Sequence, residues 1–207
     1  VVGSGGREHA IVEAIARSPK ASKIYAAPGN AGIAALAECV AIKDTDVDKL
    51  LAFAQEKGVD LTVVGPEAAL AVGIVDRFRA AGLKIFGPTK AAAEIEASKD
   101  FAKRLMVKYD VPTAAYATFS DFEEAMAYVR KGTLPTVLKY DGLAAGKGVV
   151  IATTMEEAEA TLRDMLLDTK FGEGRVVIEE FLTGEEFSLM CFVAGRKICA
   201  IPVAQDH

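Results

Sequence analysis

The stretch from Pro135 to Ala152, PTVLKYDGLAAGKGVVIA, sets β-rich runs on either side of a glycine-rich basic loop. No other feature constrains the fold as much, because the run after the loop decides what the loop is. A P-loop needs four residues between its first Gly and the Gly-Lys, then Ser or Thr, then a helix. Here only Leu143, Ala144 and Ala145 separate Gly142 from Gly146, Gly148 follows Lys147, and the β-branched Val149, Val150 and Ile151 predict a strand. The pattern is strand, loop, strand. Backbone N–H groups of such a loop approach phosphate oxygens with little obstruction, and Lys147 adds positive charge there. An ordinary hairpin with a long glycine-containing turn fits the same residues, so the neighbouring segments have to decide.

Composition narrows the classes. With 207 residues, 51% of them hydrophobic, the chain can bury a core sufficient for one large domain or two small ones. The formal net charge of −5 gives no broad footprint for nucleic acid. Apolar runs such as Leu61 to Val64 and Val176 to Ile178 are too short to span a bilayer, and Val1-Val2-Gly3 lacks the pattern of a signal peptide, so a soluble cytoplasmic protein with no membrane partner is expected. Cys39, Cys191 and Cys199 form neither a C-x-x-C pair nor an even framework and read as reduced thiols packed inside. His9 and His207 are the only histidines, which points any metal chemistry towards magnesium on carboxylates rather than a zinc cage. Both ends read as cut, with strands expected to continue past them.

Residues 1–88 alternate short β-rich runs with helical patterns, which predicts a parallel α/β sheet. Strands are expected at Val1 to Gly3, Lys23 to Ala27, Cys39 to Ile42, Leu61 to Val64 and Lys84 to Phe86. Helices are expected near Glu8 to Arg17, with Ile11, Ala14 and Ile15 inward, Val47 to Lys57, and Ala68 to Ala81. Residues 89–112 read as a helical linker and hinge, with Phe101, Leu105 and Met106 inward until Val111-Pro112 breaks the pattern. Ser120 with Glu123 and Thr154 with Glu157 have capping-box spacing. After Gly174 comes a β-rich series, Arg175 to Glu180, Glu186 to Val193 and Lys197 to Val203, with a tight turn at Ala194-Gly195-Arg196.

Several segments have a pattern suited to ligands. Gly3-Ser4-Gly5-Gly6-Arg7-Glu8 follows a strand and opens a helix, where N–H groups and the helix dipole favour an anion. It fails as a dinucleotide fingerprint, because Glu8 replaces the third Gly and the second strand ends in Ala27-Pro28-Gly29-Asn30 without an acidic ribose ligand. Glu67, after Gly65-Pro66 at another strand end, can take sugar hydroxyls or simply face its own helix dipole. Val177 to Leu182, followed by Gly184-Glu185-Glu186, suits an adenosine pocket or an acidic, water-exposed strand end. Lys139 in an apolar strand requires an anionic partner, for which phosphate is the candidate, and Lys99 stands at a helix start.

Together these segments resemble the ATP-grasp ligases, and within them the glycinamide ribonucleotide synthetase (phosphoribosylamine–glycine ligase) family of purine biosynthesis. The resemblance is carried by Gly3-Ser4-Gly5-Gly6-Arg7-Glu8-His9-Ala10, Val64-Gly65-Pro66-Glu67-Ala68, Phe86-Gly87-Pro88-Thr89, Ser98-Lys99-Asp100-Phe101-Ala102-Lys103, Asp141 to Val149, Glu179-Glu180-Phe181-Leu182 and Gln205-Asp206-His207, and it covers essentially the whole chain. The family commonly has Ala at the position of Tyr140 and Pro at that of Ala69.

The resemblance implies a Rossmann-like substrate-binding domain over residues 1–88, the linker over 89–112, an ATP lid over 113–171 and the start of a central ATP-grasp domain over 172–207. It implies ATP and magnesium or manganese, the metal ligands lying past His207, with glycine and 5-phosphoribosylamine as substrates. Lys99, Lys139, Gly142, Gly146, Lys147, Gly148, Glu179, Glu180, Phe181, Leu182 and Glu186 would hold ATP. Gly5, Gly6, Arg7, Glu8, Glu67 and Asp206 would hold substrate, with Lys147 and Asp206 closest to the chemistry. A glycine loop of this kind is expected to open and close around Leu143 to Lys147. Another ATP-grasp purine ligase, or a nucleotide-binding module without turnover, shares most of these residues.

Overall fold

The computed structural model describes residues 1–144 and 148–205. In its first half, the strands β1 (Val2–Gly3), β2 (Tyr25–Pro28) and β3 (Glu38–Cys39) pair in parallel in the order β1-β2-β3. A bridge from Val2 to Val64 continues this sheet to the parallel pair β4 (Thr62–Val63) and β5 (Ile85–Phe86). The order β3-β2-β1-β4-β5 is that of an open doubly wound sheet. The helices α1 (Gly6–Ala16), α2 (Val47–Glu56), α3 (Glu67–Ala71) and α4 (Ile74–Ala80) flank it. Leu50, Ala54, Ile74, Val75 and Phe78 form one core with Val2 and Val64, and Val12 of α1 forms another with Ala26 and Ile33.

Two local expectations are corrected here. The buried apolar residue of α1 is Val12, whereas Ala14 is exposed. The helix expected over Ala68 to Ala81 is two helices, because Gly73 adopts φ +87° between α3 and α4, a left-handed conformation that glycine takes without a Cβ penalty.

The second half begins with α5 (Lys90–Ala97) and α6 (Lys99–Lys108). The strands β6 (Tyr116–Phe119), β7 (Thr136–Tyr140), β8 (Val149–Ala152) and β9 (Val176–Glu180) then form an antiparallel sheet in the order β6-β9-β7-β8. β9 lies between β6 and β7, so this sheet crosses the division expected at 171/172. The helices α7 (Phe122–Lys131) and α8 (Met155–Leu166) cover one face, packing Met126, Val129, Leu162 and Met165 on Leu138, Tyr140, Val176 and Ile178. Helix α8 starts with the expected capping box of Thr154 and Glu157. Helix α7 does not start at Ser120: its cap is Asp121, whose carboxylate accepts from the Glu124 N–H at 2.9 Å.

The strands β10 (Cys191–Ala194) and β11 (Lys197–Ala200) form a hairpin around Gly195-Arg196 and are shorter than the runs predicted. The Phe192 ring meets the Phe86 ring of β5 with centroids 6.0 Å apart. Cys39, Cys191 and Cys199 are all exposed, which corrects the expectation of packed thiols: Cys39 ends an edge strand, and the other two lie on the hairpin. No helix among the described residues is long and apolar enough to cross a membrane.

Candidate functional site

Strand alternation divides β7 and β9 between two environments. Leu138 and Tyr140 of β7, with Val176 and Ile178 of β9, face the helices α7 and α8. Lys139 and Glu179 therefore face the other way. The register pairs Lys139 with Val177 and Val137 with Glu179, which makes the lysine and the glutamate diagonal neighbours across the two strands. Lys139 Nζ donates to Glu179 Oε2 at 3.0 Å. The anionic partner that an apolar strand requires for Lys139 is, in this structure, a carboxylate of the chain itself.

Helix α6 crosses this charged face. Lys103 Nζ lies 3.1 Å from the same Glu179 oxygen, and it donates to Thr113 Oγ1 at 2.7 Å and to the Ala114 carbonyl at 3.1 Å. The ammonium also sits 5.4 Å from the centre of the Tyr116 ring. One turn earlier, Asp100 accepts from Thr118 Oγ1 at 2.8 Å and pairs with Arg104 at 3.0 Å and Arg175 at 3.2 Å. Side-chain exposure separates the members of the cluster: Lys103 and Glu179 are each 7% exposed, while Lys139 is 28% exposed. Two ammoniums share one carboxylate, and the more open of them carries the positive charge available to a ligand.

The root of the glycine loop is tied to the same helix. Asp141 accepts from Ser98 Oγ at 3.0 Å, from the Asp100 N–H at 3.1 Å and from Arg175 at 2.7 Å. Lys99 Nζ donates to the Gly142 carbonyl at 3.0 Å. Tyr140 stands between these ties, on the helix side of the sheet. Its ring packs on Phe171 with centroids 5.5 Å apart, and a Cβ at Gly142 or Gly174 would come within 2.7 or 2.8 Å of it. The residue that departs from the common Ala therefore faces away from Lys139. Gly148 returns the chain to β8, its carbonyl accepting from the Tyr140 N–H at 2.7 Å. Gly146 and Lys147 lie outside the described residues, as does Asp206.

At the far end of β9, Glu180 Oε2 accepts from the Ala115 N–H at 3.1 Å. Phe181 and Leu182 follow with 36% and 61% exposure, and Glu186 is exposed. Val149 and Ile151 of β8 are also exposed, because β8 is an edge strand with only one face on the core.

The first sheet presents a different arrangement at its carboxyl edge. Arg7 Nη1 pairs with Glu67 Oε1 at 2.9 Å, joining the start of α1 to the start of α3. The hydrogen bond from Arg7 is the main reason the Glu67 carboxyl lies below its ordinary pKa, and the same bond raises that of Arg7. Gly5 and Gly6 are exposed. Glu8 is not: it is 3% exposed and its Oε2 accepts from the Gly5 N–H at 2.6 Å. A Cβ at Gly3 would lie 2.6 Å from Glu8 Cγ, and one at Gly65 would overlap the Glu8 carboxylate. The Glu8 side chain fills the space that Gly3, Gly5 and Gly65 leave beneath the loop, and its Oε1 accepts from Arg7 Nε at 3.2 Å. Asn30 donates to the Ser4 carbonyl at 2.8 Å.

Lys103, Asp100, Asp141 and Arg175 complete the charged cluster of the antiparallel sheet, and their signal in the sequence is only that of charged side chains in a helix, a loop and the start of a strand. Among the described residues no group of three or more His, Cys, Asp or Glu side chains is arranged to hold a metal ion.

Residues 1–96 match the family described as phosphoribosylglycinamide synthetase, N domain, and residues 97–207 match its ATP-grasp (A) domain. The chain is 58% identical over its whole length to a phosphoribosylamine–glycine ligase of Streptococcus pneumoniae and 54% identical to one of Pasteurella multocida, covering 50% and 49% of those proteins. The crystal structure of the Thermotoga maritima phosphoribosylamine–glycine ligase superposes on 98% of the chain with a TM-score of 0.79 at 34% identity, and the chain covers 48% of it. The chain thus spans about half the length of the relatives it matches.

Proposed function

The chain belongs to the phosphoribosylglycinamide synthetase family, and from that premise we propose that it supplies the nucleotide grip and the sugar-phosphate edge of an ATP-dependent ligase. The observation that carries this reading is the Lys139–Glu179–Lys103 cluster, where two ammoniums share one carboxylate beside the root of a glycine loop. In the reaction, the γ-phosphoryl group of ATP passes to the carboxylate of glycine, giving glycyl phosphate and ADP. The amine of 5-phosphoribosylamine attacks the acyl carbon, the bond to phosphate breaks, and glycinamide ribonucleotide and phosphate leave.

Each part has a role in that sequence. Lys139, Lys99 and Lys147 bring positive charge to the triphosphate, where a preorganised site stabilises the charge that moves during phosphoryl transfer. Gly142, Gly146 and Gly148 let the loop approach the phosphates, and a loop that closes there keeps water from the acyl phosphate. Phe181 and Leu182 flank the base, Glu179 and Glu180 shape its strand, and Glu186 accepts from the ribose. Gly5, Gly6, Arg7 and Glu67 take the phosphorylated sugar, with Asp206 near the reacting groups. Residues 1–88 serve as substrate domain, 89–112 as linker and 113–171, together with β9 from the following segment, as lid, with the rest of 172–207 beginning the central domain of a cytoplasmic enzyme. The divalent ion that accompanies ATP in such ligases neutralises phosphate charge, and no step is assigned to it in this segment.

The test uses the whole-length protein. ADP release is expected only when glycine and 5-phosphoribosylamine are both present, in equal amounts with the amide product. ADP release driven equally well by another carboxylate or amine would overturn the substrate assignment, and no ATP binding at all would overturn the nucleotide reading.

A further inference from the structure

The Glu179 carboxylate has more positive charge around it than an ion pair requires. Lys103 meets it from α6 and Lys139 meets it from β7, at 3.1 and 3.0 Å on the same oxygen. The two lysines are held differently. Lys103 has three acceptors, Thr113 Oγ1, the Ala114 carbonyl and Glu179, which use all the donors of an ammonium. Lys139 has one hydrogen bond among the described residues, to Glu179, and keeps 28% of its side chain exposed. One cation is fixed and buried, and the other is lightly held and open.

We infer that Lys103 is a positioning residue for the nucleotide grip: it keeps the buried Glu179 carboxylate neutralised while Lys139 turns to the triphosphate. This rests on the nucleotide reading of Lys139 given above. The physical reason is the cost of an unpaired buried charge. A carboxylate as enclosed as Glu179 would be strongly unfavourable alone, so in a protein with a single lysine the ligand would have to break the pair outright. With Lys103 in place, Glu179 retains a charged hydrogen-bonding partner whichever way Lys139 points. Lys103 itself does not touch ATP, since its three donors are already engaged within the fold.

A double-mutant cycle on the whole-length protein tests this, with ATP affinity measured by calorimetry. Lys103→Met is expected to weaken ATP binding by about tenfold, the size of one charge-assisted contact made inaccessible, because Lys139 then stays on Glu179. In a Lys139→Met background the same substitution should change affinity by less than about twofold, since the residue through which Lys103 acts is gone. A purely structural role would cost the same in both backgrounds, and such additivity would overturn the inference. Lys103→Arg, which retains the charge, should bind within a few-fold of wild type. If Lys103→Met does not fold, the wild-type protein bound to a non-hydrolysable ATP analogue decides the matter: Lys103 should remain on Glu179 with Lys139 on phosphate, and the reverse arrangement would overturn the inference. Failure of wild type to bind ATP would overturn both readings, whereas binding with an additive cycle would remove this one alone.

Discussion

The two halves of the chain each bury a glutamate at their candidate site, and they use it in opposite ways. Glu8 lies in a pocket made largely by the absence of side chains: Gly3, Gly5 and Gly65 leave room for it, the Gly5 N–H holds one oxygen, and the exposed Arg7 pairs with the other at 3.2 Å. Its work is to fix the shape of a loop. Glu179 lies in a pocket made of charge, where Lys103 and Lys139 converge on one oxygen and Asp100 is buried a turn away. Its work is to hold cations at defined positions. The first site spends few buried charges and depends on backbone geometry, whereas the second depends on electrostatic balance. Mutations should therefore affect the two halves in different ways.

The largest effect is expected at Glu179. Glu179→Ala leaves Lys103 buried without its counter-charge and should cost about 3–5 kcal/mol in urea unfolding, the range for removing one member of a buried ion pair. Glu8→Ala leaves the Gly5 N–H unpaired and a small void, and takes one of two carboxylates from the exposed Arg7, which keeps Glu67, so it should cost about 1–3 kcal/mol. If Glu8→Ala proves as costly as Glu179→Ala, the distinction between a brace of shape and a store of charge does not hold.

A second expectation sharpens the description of the first half. Gly65→Ala places a Cβ on the Glu8 carboxylate and should destabilise by about 1–3 kcal/mol, as overpacking does. Gly6→Ala meets nothing within 4 Å and begins a helix, so it should be neutral or stabilising by up to about 1 kcal/mol. The Gly65→Ala cost should fall in a Glu8→Ala background, because the side chain it displaces is then absent. Equal costs at Gly65 and Gly6 would show that Glu8 does not fill the loop.

The smallest effect concerns the exposed pair at the carboxyl edge. The Glu67 carboxyl is held below the ordinary carboxylate value by the hydrogen bond from Arg7. A depressed folded-state pKa means that the pair stabilises the fold above the ordinary carboxylate range and that this contribution is lost as pH falls through the lowered value. NMR titration of Glu67 should show the depression in the parent chain and a rise towards the ordinary value in Arg7→Met. A Glu67 titration that does not respond to Arg7→Met would remove the pair from the description of the site.

Local chemistry was legible in the sequence and convergence was not. The parallel α/β half, the strands on either side of the glycine loop and the capping box at Thr154 follow from alternation, β-branched residues and i, i+3 spacing, all of which act within a few residues. The cap at Asp121 was missed by one position because Ser120-Glu123 and Asp121-Glu124 carry equivalent chemistry, and only the helix start distinguishes them. The orientation of Glu8 depends on Gly65, a residue on another strand connection, so no local pattern shows it. The charged cluster was the hardest to see. Lys139 and Glu179 are 40 residues apart, and the placement of β9 between β6 and β7 is what brings them together under α6. Helical periodicity places Phe101, Leu105 and Met106 inward, whereas in the fold Lys103 is buried and those three are only half-buried.

The central claim is that the charged face of the antiparallel sheet grips the nucleotide through Lys139, and ATP affinity of Lys139→Ala in the whole-length protein tests it most directly. Loss of one charge-assisted contact to phosphate predicts affinity reduced by at least about tenfold with the protein still folded, because Lys103 continues to neutralise Glu179. ATP affinity and turnover equal to wild type would contradict the claim and leave the Lys139–Glu179 pair as a structural feature of the sheet.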